Sequence, residues 1–334
     1  MPGISVSKIP IPFRGAGGIS WQTYWATLIS ATVENAEPTH VVLRFPTASP
    51  SLGAADFTIA GFTISSASWS GAVLTLVLST KVTVFHGNLT LNFEKTGTTT
   101  VVTNNVADDG KSIWYNWQTE IGLTGSDVTS WGNRLSADTG DDLTTAAGYP
   151  VVAADGIYFQ KSKAARISRN WVDKNQPQTV YLYIKTEANT IGRFMDDEEN
   201  AKFTIGIISP NFYMTANNRN FIYATAIVDE FCLIRAKFNG ENSSLQVNDN
   251  VATTGNVGIG PATGLCLGAR RDGYIPSEST FKDVVIRLND DDAETYAAVA
   301  HGIRYRNGFF FDVTYRFDSE TESFDNDMIT FDNE

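Results

Sequence analysis

The chain has 334 residues, a formal net charge of -12, and 19% charged residues against 42% hydrophobic and 12% aromatic ones. This composition excludes a disordered chain, and the acidic balance excludes a broad nucleic-acid surface, which needs clustered lysine and arginine. Two cysteines (Cys232, Cys266) and three histidines (His40, His86, His301) exclude a disulfide scaffold and any site built from several Cys or His ligands. Two buried thiols are expected, with pairing left open.

The opening run Met1-Pro2-Gly3-Ile4-Ser5-Val6-Ser7-Lys8 lacks the unbroken apolar stretch of a secretory signal. No segment approaches the ~18 apolar residues of a membrane span. The expectation is a soluble protein without membrane insertion, reaching the outside of a cell, if at all, by a route such as lysis. Residues 1–19 carry three prolines, Arg14 and the run Gly15-Ala16-Gly17-Gly18, and read as an extended arm. Trp21, Tyr24, Trp25, Leu28 and Ile29 then fall at helical spacing behind Ser20, a plausible N-cap. Three large aromatics on so short a segment must be buried, against the next domain or in a partner. The glycine-rich arm before them favours a partner, so Arg14, Trp21, Tyr24 and Trp25 are the expected docking residues.

From about Pro38 to Asn105 short strands alternate with turns. Val41, Leu43 and Phe45, then Leu74, Leu76 and Leu78, then Leu89, Leu91 and Phe93 each occupy every second position. Five charged residues and many Ser and Thr describe a small sandwich with a hydroxyl-rich surface. Residues 106–125 read as a linker that gains aromatics, and a larger β region follows to about 310. Its strand candidates are 157–159, 164–168, 179–185, 203–208, 221–225, 231–238, 244–247, 265–270 and 281–288, with a hairpin at Asn239-Gly240. So many alternating strands within one domain's length predict two curved sheets. One helix follows, capped by Asn289-Asp290-Asp291-Asp292 and closed by Arg304, Arg306 and Gly308, so the acids need no metal ion. From Asp312 to Glu334 eight acids face one base, Arg316, with Phe-Asp pairs at 317, 324 and 331. The tail docks on a basic partner surface or stays solvated.

Asp56-Phe57-Thr58-Ile59 and Ala72-Val73-Leu74-Thr75-Leu76-Val77-Leu78-Ser79 resemble the Ig-like modules of bacterial and phage surface proteins, without the cysteine pair of antibody-type domains. Val128-Thr129-Ser130-Trp131-Gly132-Asn133, Asp155-Gly156-Ile157-Tyr158-Phe159, Leu265-Cys266-Leu267-Gly268-Ala269-Arg270 and Phe281-Lys282-Asp283-Val284-Val285-Ile286 resemble, in order, the concanavalin A-like (laminin-G-type) jelly rolls. That resemblance covers roughly 111–310 and implies a curved sandwich whose members bind glycans or proteins, or only build structure. The layout of an arm (Ile9 to Gly18), a Ser-Trp-x-x-Tyr-Trp segment and β modules resembles virion proteins of tailed phages, particularly the crAss-like phages of gut Bacteroidetes.

Some jelly rolls are glycosidases, which need two carboxylates on one side of a strand or cleft. The Glu-x-Asp-x-x-Glu run of the glucanases is missing. Asp196-Asp197-Glu198-Glu199 and Asp229-Glu230 have the wrong spacing and read as solvated loop charges. HExxH, GxSxG and a Walker loop are also missing, the glycine-rich 255–264 segment reads as a loop, and His301 reads as structural. The expectation is no enzyme and no cofactor. Aromatic and polar loop residues suited to a sugar are Tyr213, Asn218, Arg271, Asp272 and Tyr274, beside Asn217, Arg219 and Arg270.

The reading is therefore all-β, with an N-terminal anchoring arm (1–29), an Ig-like sandwich (30–107), a concanavalin A-like jelly roll (108–310) with one short C-terminal helix, and an acidic aromatic tail (311–334). The expected function is a non-enzymatic virion structural protein, a head fibre, capsid decoration or tail fibre unit, with a carbohydrate-binding adhesin as the alternative. Expected partners are other virion proteins through the arm, further copies of the chain, and host-surface glycans.

Overall fold

The computed structural model describes residues 20–308 except residue 50 and the segments 136–138, 188–190, 198–202 and 217–219. The arm with Arg14, the acidic tail and Asn218 lie outside the described residues. The fold is all-β as expected, with two α-helices among the described residues, neither long and apolar enough to cross a membrane.

The first unit has seven strands: β1 (Ser30–Glu34), β2 (His40–Arg44), β3 (Phe57–Ile59), β4 (Ile64–Ser70), β5 (Val73–Leu78), β6 (Leu89–Phe93) and β7 (Thr98–Asn105). They hydrogen-bond in the order β3-β6-β7-β1-β2-β5-β4, parallel between β1 and β7 and antiparallel elsewhere. Phe57 and Leu91 at one end of this path share a core with Leu43 and Leu76 from the other, so the path folds over into a sandwich. The alternating leucines of β5 and β6 are the residues buried there, as the period of two requires.

The aromatic segment corrects the expected domain limit. Ser20 caps helix α1 (Trp21–Trp25), its hydroxyl accepting from the Thr23 N–H. Trp21, Tyr24 and Trp25 are all buried in the core of this same sandwich. Trp25 stacks on Phe93 at 4.7 Å, Tyr24 stacks on Phe45 at 5.0 Å, and the Tyr24 hydroxyl donates to the Thr47 carbonyl. These three side chains are spent inside the chain and do not dock a partner. The physical reason is proximity: a helix five residues ahead of β1 covers the open end of its own core at little loop-closure cost.

The second unit contains β8 (Ser112–Asn116), β9 (Ile121–Thr124), β10 (Asp127–Trp131), β11 (Thr145–Ala147), β12 (Val151–Ala153), β13 (Gly156–Phe159), β14 (Arg166–Lys174), β15 (Gln178–Thr186) and β16 (Ile191–Asp196). It continues with β17 (Thr204–Ile208), β18 (Asn211–Thr215), β19 (Ile222–Thr225), β20 (Phe231–Phe238), β21 (Ser243–Val247), β22 (Thr253–Gly255), β23 (Ala262–Leu267) and β24 (Ser279–Arg287). A ten-stranded sheet runs β22-β21-β20-β15-β24-β13-β12-β10-β9, with β8 also paired to β24. A seven-stranded sheet runs β11-β14-β23-β16-β17-β18-β19. One apolar core, from Ile113 and Trp131 to Phe238 and Ile286, lies between them.

The stretch expected as a linker is partly a strand, since every residue of β8 is buried. The expected hairpin is present between β20 and β21. Cys232 and Cys266 form no disulfide and are buried, on opposite sheets. Burial in the core pushes the Cys232 thiol up to about 12.

Helix α2 (Ala293–Arg306) packs on the far side of the ten-stranded sheet. This explains why every residue of β15 except Lys185 is buried: Val180, Leu182 and Ile184 face the core, while Tyr181 and Tyr183 face α2. The helix's other side meets the first sandwich through Phe85, His86, Phe62 and Gly61. Gly302 sits where an added Cβ would come within 3.0 Å of both Phe85 and His86. Asp292 caps the helix at Thr295, whereas Asp291 is buried against Tyr181 and Arg287. Arg287 also takes Asp109 in a two-pronged pair at 2.7 and 2.8 Å, which fixes the connection between the sandwiches. Among the described residues no group of three or more acids, histidines or cysteines is placed to hold a metal ion.

Candidate functional site

The candidate site is the outer face of the seven-stranded sheet. Strand register decides which side chains it holds. In β17 Ile205 and Ile207 enter the core, as do Phe212 and Met214 of β18. Their neighbours Thr204, Gly206, Tyr213 and Thr215 therefore point the other way, and the pairing Gly206↔Tyr213 and Tyr213↔Tyr223 lines them up across β17, β18 and β19. At the opposite edge Thr145, Ser168 and Cys266 are matched across β11, β14 and β23 while Ile167 and Leu267 are in the core.

The floor of this face is polar and closed. Asp196 is fully buried, receives Arg193 Nη1 at 2.6 Å and the Thr204 hydroxyl at 2.8 Å, and adjoins Asp197, also buried. Burial raises the Asp196 carboxyl above the usual carboxylate range against the pull of Arg193. These two acids correct the sequence reading, which placed both in solvent; Asp229 and Glu230 are exposed as expected. An isolated carboxylate could not sit here, but the guanidinium and hydroxyl supply the bonds it loses to water.

Two features open from the floor to solvent. On the β11–β14 side lies a cleft of about 510 Å³ lined by Thr145, Arg166, Ser168, Arg169, Asn170 and Arg271 among others. On the β19 side Phe221 and Tyr223 are 38% and 46% exposed and stack at 6.1 Å, with Phe221 edge-on to Tyr213 at 5.8 Å. The exposed Ile191 and Ile208, paired in register, flank them.

The residues singled out from the sequence separate accordingly. Tyr213 is on this face but only 5% exposed beneath Phe221, so it supports the surface instead of presenting it. Arg271 lines the cleft. Asp272 is ion-paired with Arg270 and accepts the Tyr274 N–H, which holds its own carboxyl below the usual range. Tyr274 is 66% exposed on the same loop, with Arg270 over its ring. The loop reaches Arg166: Gly273 has φ +80°, and a Cβ there would lie 2.8 Å from Arg166 Nη1. Sequence reading missed Arg166, Arg169, Asn170, Phe221 and Tyr223. For Arg166 and Asn170 the signal was their alternation with Ser168 along β14, which says one face is wet but not that a cleft lies on it; Arg169 falls on the other row of that strand.

No protein-family model and no curated protein sequence matches the chain. Among solved structures, it is similar to a mutant of Trypanosoma rangeli sialidase displaying trans-sialidase activity, with 10% identity and a TM-score of 0.44 over 61% of this chain and 35% of that one. It is also similar to a GH54 α-L-arabinofuranosidase (10% identity, TM-score 0.44, 64% of this chain and 57% of that one). A third is domain 4 of AbnA, a GH43 extracellular arabinanase from Geobacillus stearothermophilus, in complex with arabinotriose (13% identity, TM-score 0.38, 57% and 97%). The chain spans about a third of the length of the sialidase it matches. These findings overturn the expectation that the chain is not an enzyme: the structures it is similar to include glycoside hydrolases, and that exclusion is withdrawn.

Proposed function

We propose that the chain is a saccharide-binding display unit of a tailed-phage particle, with the outer face of the seven-stranded sheet as its binding face. The observation that carries the reading is one continuous sheet face holding both a polar cleft and an exposed aromatic pair. A sugar presents hydroxyls and an apolar C–H surface together, and a site for it needs convergent polar groups beside aromatic rings. Arg166, Ser168, Asn170 and Thr145 supply the first at one edge of the sheet and Phe221 and Tyr223 the second at the other, five strands and roughly 24 Å away, so the occupant that meets both is an extended chain of several sugars. The virion setting rests on the layout of a Gly- and Pro-bearing arm, a Ser/Thr-rich small sandwich and a larger jelly roll. With Trp21, Tyr24 and Trp25 in the core, attachment falls to residues before 20 or to the tail.

The full chain is expected to bind a subset of bacterial surface glycans saturably on an array, and Tyr223→Ala to weaken that binding by about tenfold, equivalent to roughly 1.4 kcal/mol. An array with no saturable signal sinks the saccharide reading. Mass spectrometry of density-purified particles is expected to find the chain in fixed ratio to the capsid protein, and its absence there sinks the virion setting.

A further inference from the structure

We infer that strand β4 is a pairing edge for a second copy of this chain, the two β4 strands joining antiparallel about Ser68. The first ground is that this edge is long and unprotected where the others are short. At the ends of the three sheet paths stand β3, β22 and β11 with three residues each, β9 and β19 with four, and β4 with seven. A strand edge offers unpaired N–H and C=O groups to any other strand, and short edges, lysine or proline are the usual protection. β4 reads Ile64-Ser65-Ser66-Ala67-Ser68-Trp69-Ser70, with no charge and no proline, and its neighbour β5 is uncharged as well. Among the described residues its backbone bonds to β5 alone. The register with β5 shifts between Ile64 and Ser66, so the straight part of the edge is 66–70 and Ser68 is its middle.

The second ground is what this edge asks of its partner. Ala67 and Trp69 lie on the core row, opposite Leu76 and Leu74, and are only partly buried at the rim of the first core. Trp69 rests on Phe45 at 5.8 Å and donates from Nε1 to the Leu52 carbonyl at 3.2 Å, so its ring is held in place while part of it meets solvent. A matching strand must be uncharged and carry a small residue opposite this ring. β4 itself meets both conditions. Centred on Ser68, the pairing sets Ala67 of one copy beside Trp69 of the other, and Ser66 beside Ser70 on the solvent row, where hydroxyls can hydrogen-bond across. Charge favours the same contact: each copy carries -12, and uncharged strands keep those like charges out of the interface. A two-fold pairing uses both long edges, so it closes at a dimer instead of running on into a fibre.

The test is sedimentation velocity of the full chain over a concentration series, with Ser68→Lys and Ser68→Glu run alone and mixed one to one. Ser68 is exposed on the solvent row, opposite Thr75, so both variants are expected to unfold at the parent's temperature. The parent is expected to pass from monomer to dimer between about 1 and 200 µM, the weak range of a small interface. Each variant alone sets like charges face to face at the two-fold axis and is expected to weaken dimerisation at least about tenfold. The mixture sets lysine against glutamate and is expected to restore it. A parent that stays monomeric throughout overturns the inference, as does a dimer that both variants retain, which places the contact elsewhere. Loss in both variants without recovery in the mixture also overturns it, because β4 then receives a different strand, such as one from residues 1–19.

Discussion

At the scale of single residues, the histidine pair between the two sandwiches has its protons fixed by its neighbours. The Thr83 N–H donates to His86 Nδ1 at 3.0 Å, so the ring proton of His86 sits on Nε2, from which it reaches His301 Nδ1 at 2.8 Å. His301 Nε2 in turn faces the Gly61 carbonyl, an acceptor, and must carry its own proton. Both rings are thereby neutral. A second proton on His301 would point at the His86 N–H, and one on His86 would point at the Thr83 N–H. Phe62, Tyr305, Arg304 and Arg306 surround the pair and offer no carboxylate to hold a charge. Burial and the facing His301 accordingly lower His86 from 6.5 to about 3, and burial lowers His301. A base depressed in the fold gives stability that is full above the unfolded value and lost as pH falls through the gap. His86 alone is expected to cost about 2 kcal/mol of stability on going from neutral pH to about pH 5. Denaturant titrations at the two pH values read this, and an imidazole resonance of His86 that titrates near 6.5 would refute it.

Among the elements, helix α1 and strand β15 carry the sharpest consequences. Trp25 has two ring partners in the first core besides Phe93, namely Phe45 and Phe57. Replacing it by alanine is expected to cost about 3–5 kcal/mol, the range for emptying a buried aromatic site. An anchor residue would cost almost nothing, so chemical unfolding of Trp25→Ala separates the two roles directly. For the same reason a truncation at residue 29 removes part of a core, whereas one at residue 19 leaves α1 in place. Strand β15 shows how a second layer reads in sequence. Its alternation of Val180, Leu182 and Ile184 with Tyr181, Tyr183 and Lys185 is visible by eye, yet both rows are apolar or aromatic over most of the strand. The amphipathic tyrosines mark the face that α2 covers, with the Tyr181 hydroxyl donating to Asp291.

For the whole molecule, α2 joins two sandwiches into one unit. Asp283, fully buried on β24, accepts from Trp114 Nε1 at 2.9 Å, Asn116 Nδ2 at 3.0 Å, Arg306 and Asn307. Arg306 also donates to the Phe85 carbonyl of the first sandwich. One carboxylate thus organises β8, β24, the helix end and the neighbouring unit. Arg306→Met leaves that carboxylate buried without its cation and is expected to destabilise by about 3–5 kcal/mol. Calorimetry of the parent chain is expected to show a single cooperative transition, and that of Arg306→Met two. Two separate transitions in the parent would show that the interface does not couple the sandwiches.

Local patterning in the sequence specifies the class of fold, about half of the strands, the hairpin at Asn239-Gly240 and the capped helix at 293–306. These rest on local rules: side-chain alternation has a period of two whatever the strand packs against, and turns and caps need particular residues within a few positions. Tertiary structure alone decided three things. It turned Trp21, Tyr24 and Trp25 inward, because an aromatic face on a short helix reads the same whether its partner is its own core or another chain. It buried Asp196 and Asp197, because Thr204, which shares the Asp196 carboxylate with the nearby Arg193 of the same strand, becomes its neighbour only where β17 pairs with β16. And it set Arg166 and Arg169 beside Arg271, about a hundred positions further along, because the loop after β23 returns past β14. Period two tells which residues share a face; only the packing of the two sheets tells which face meets water.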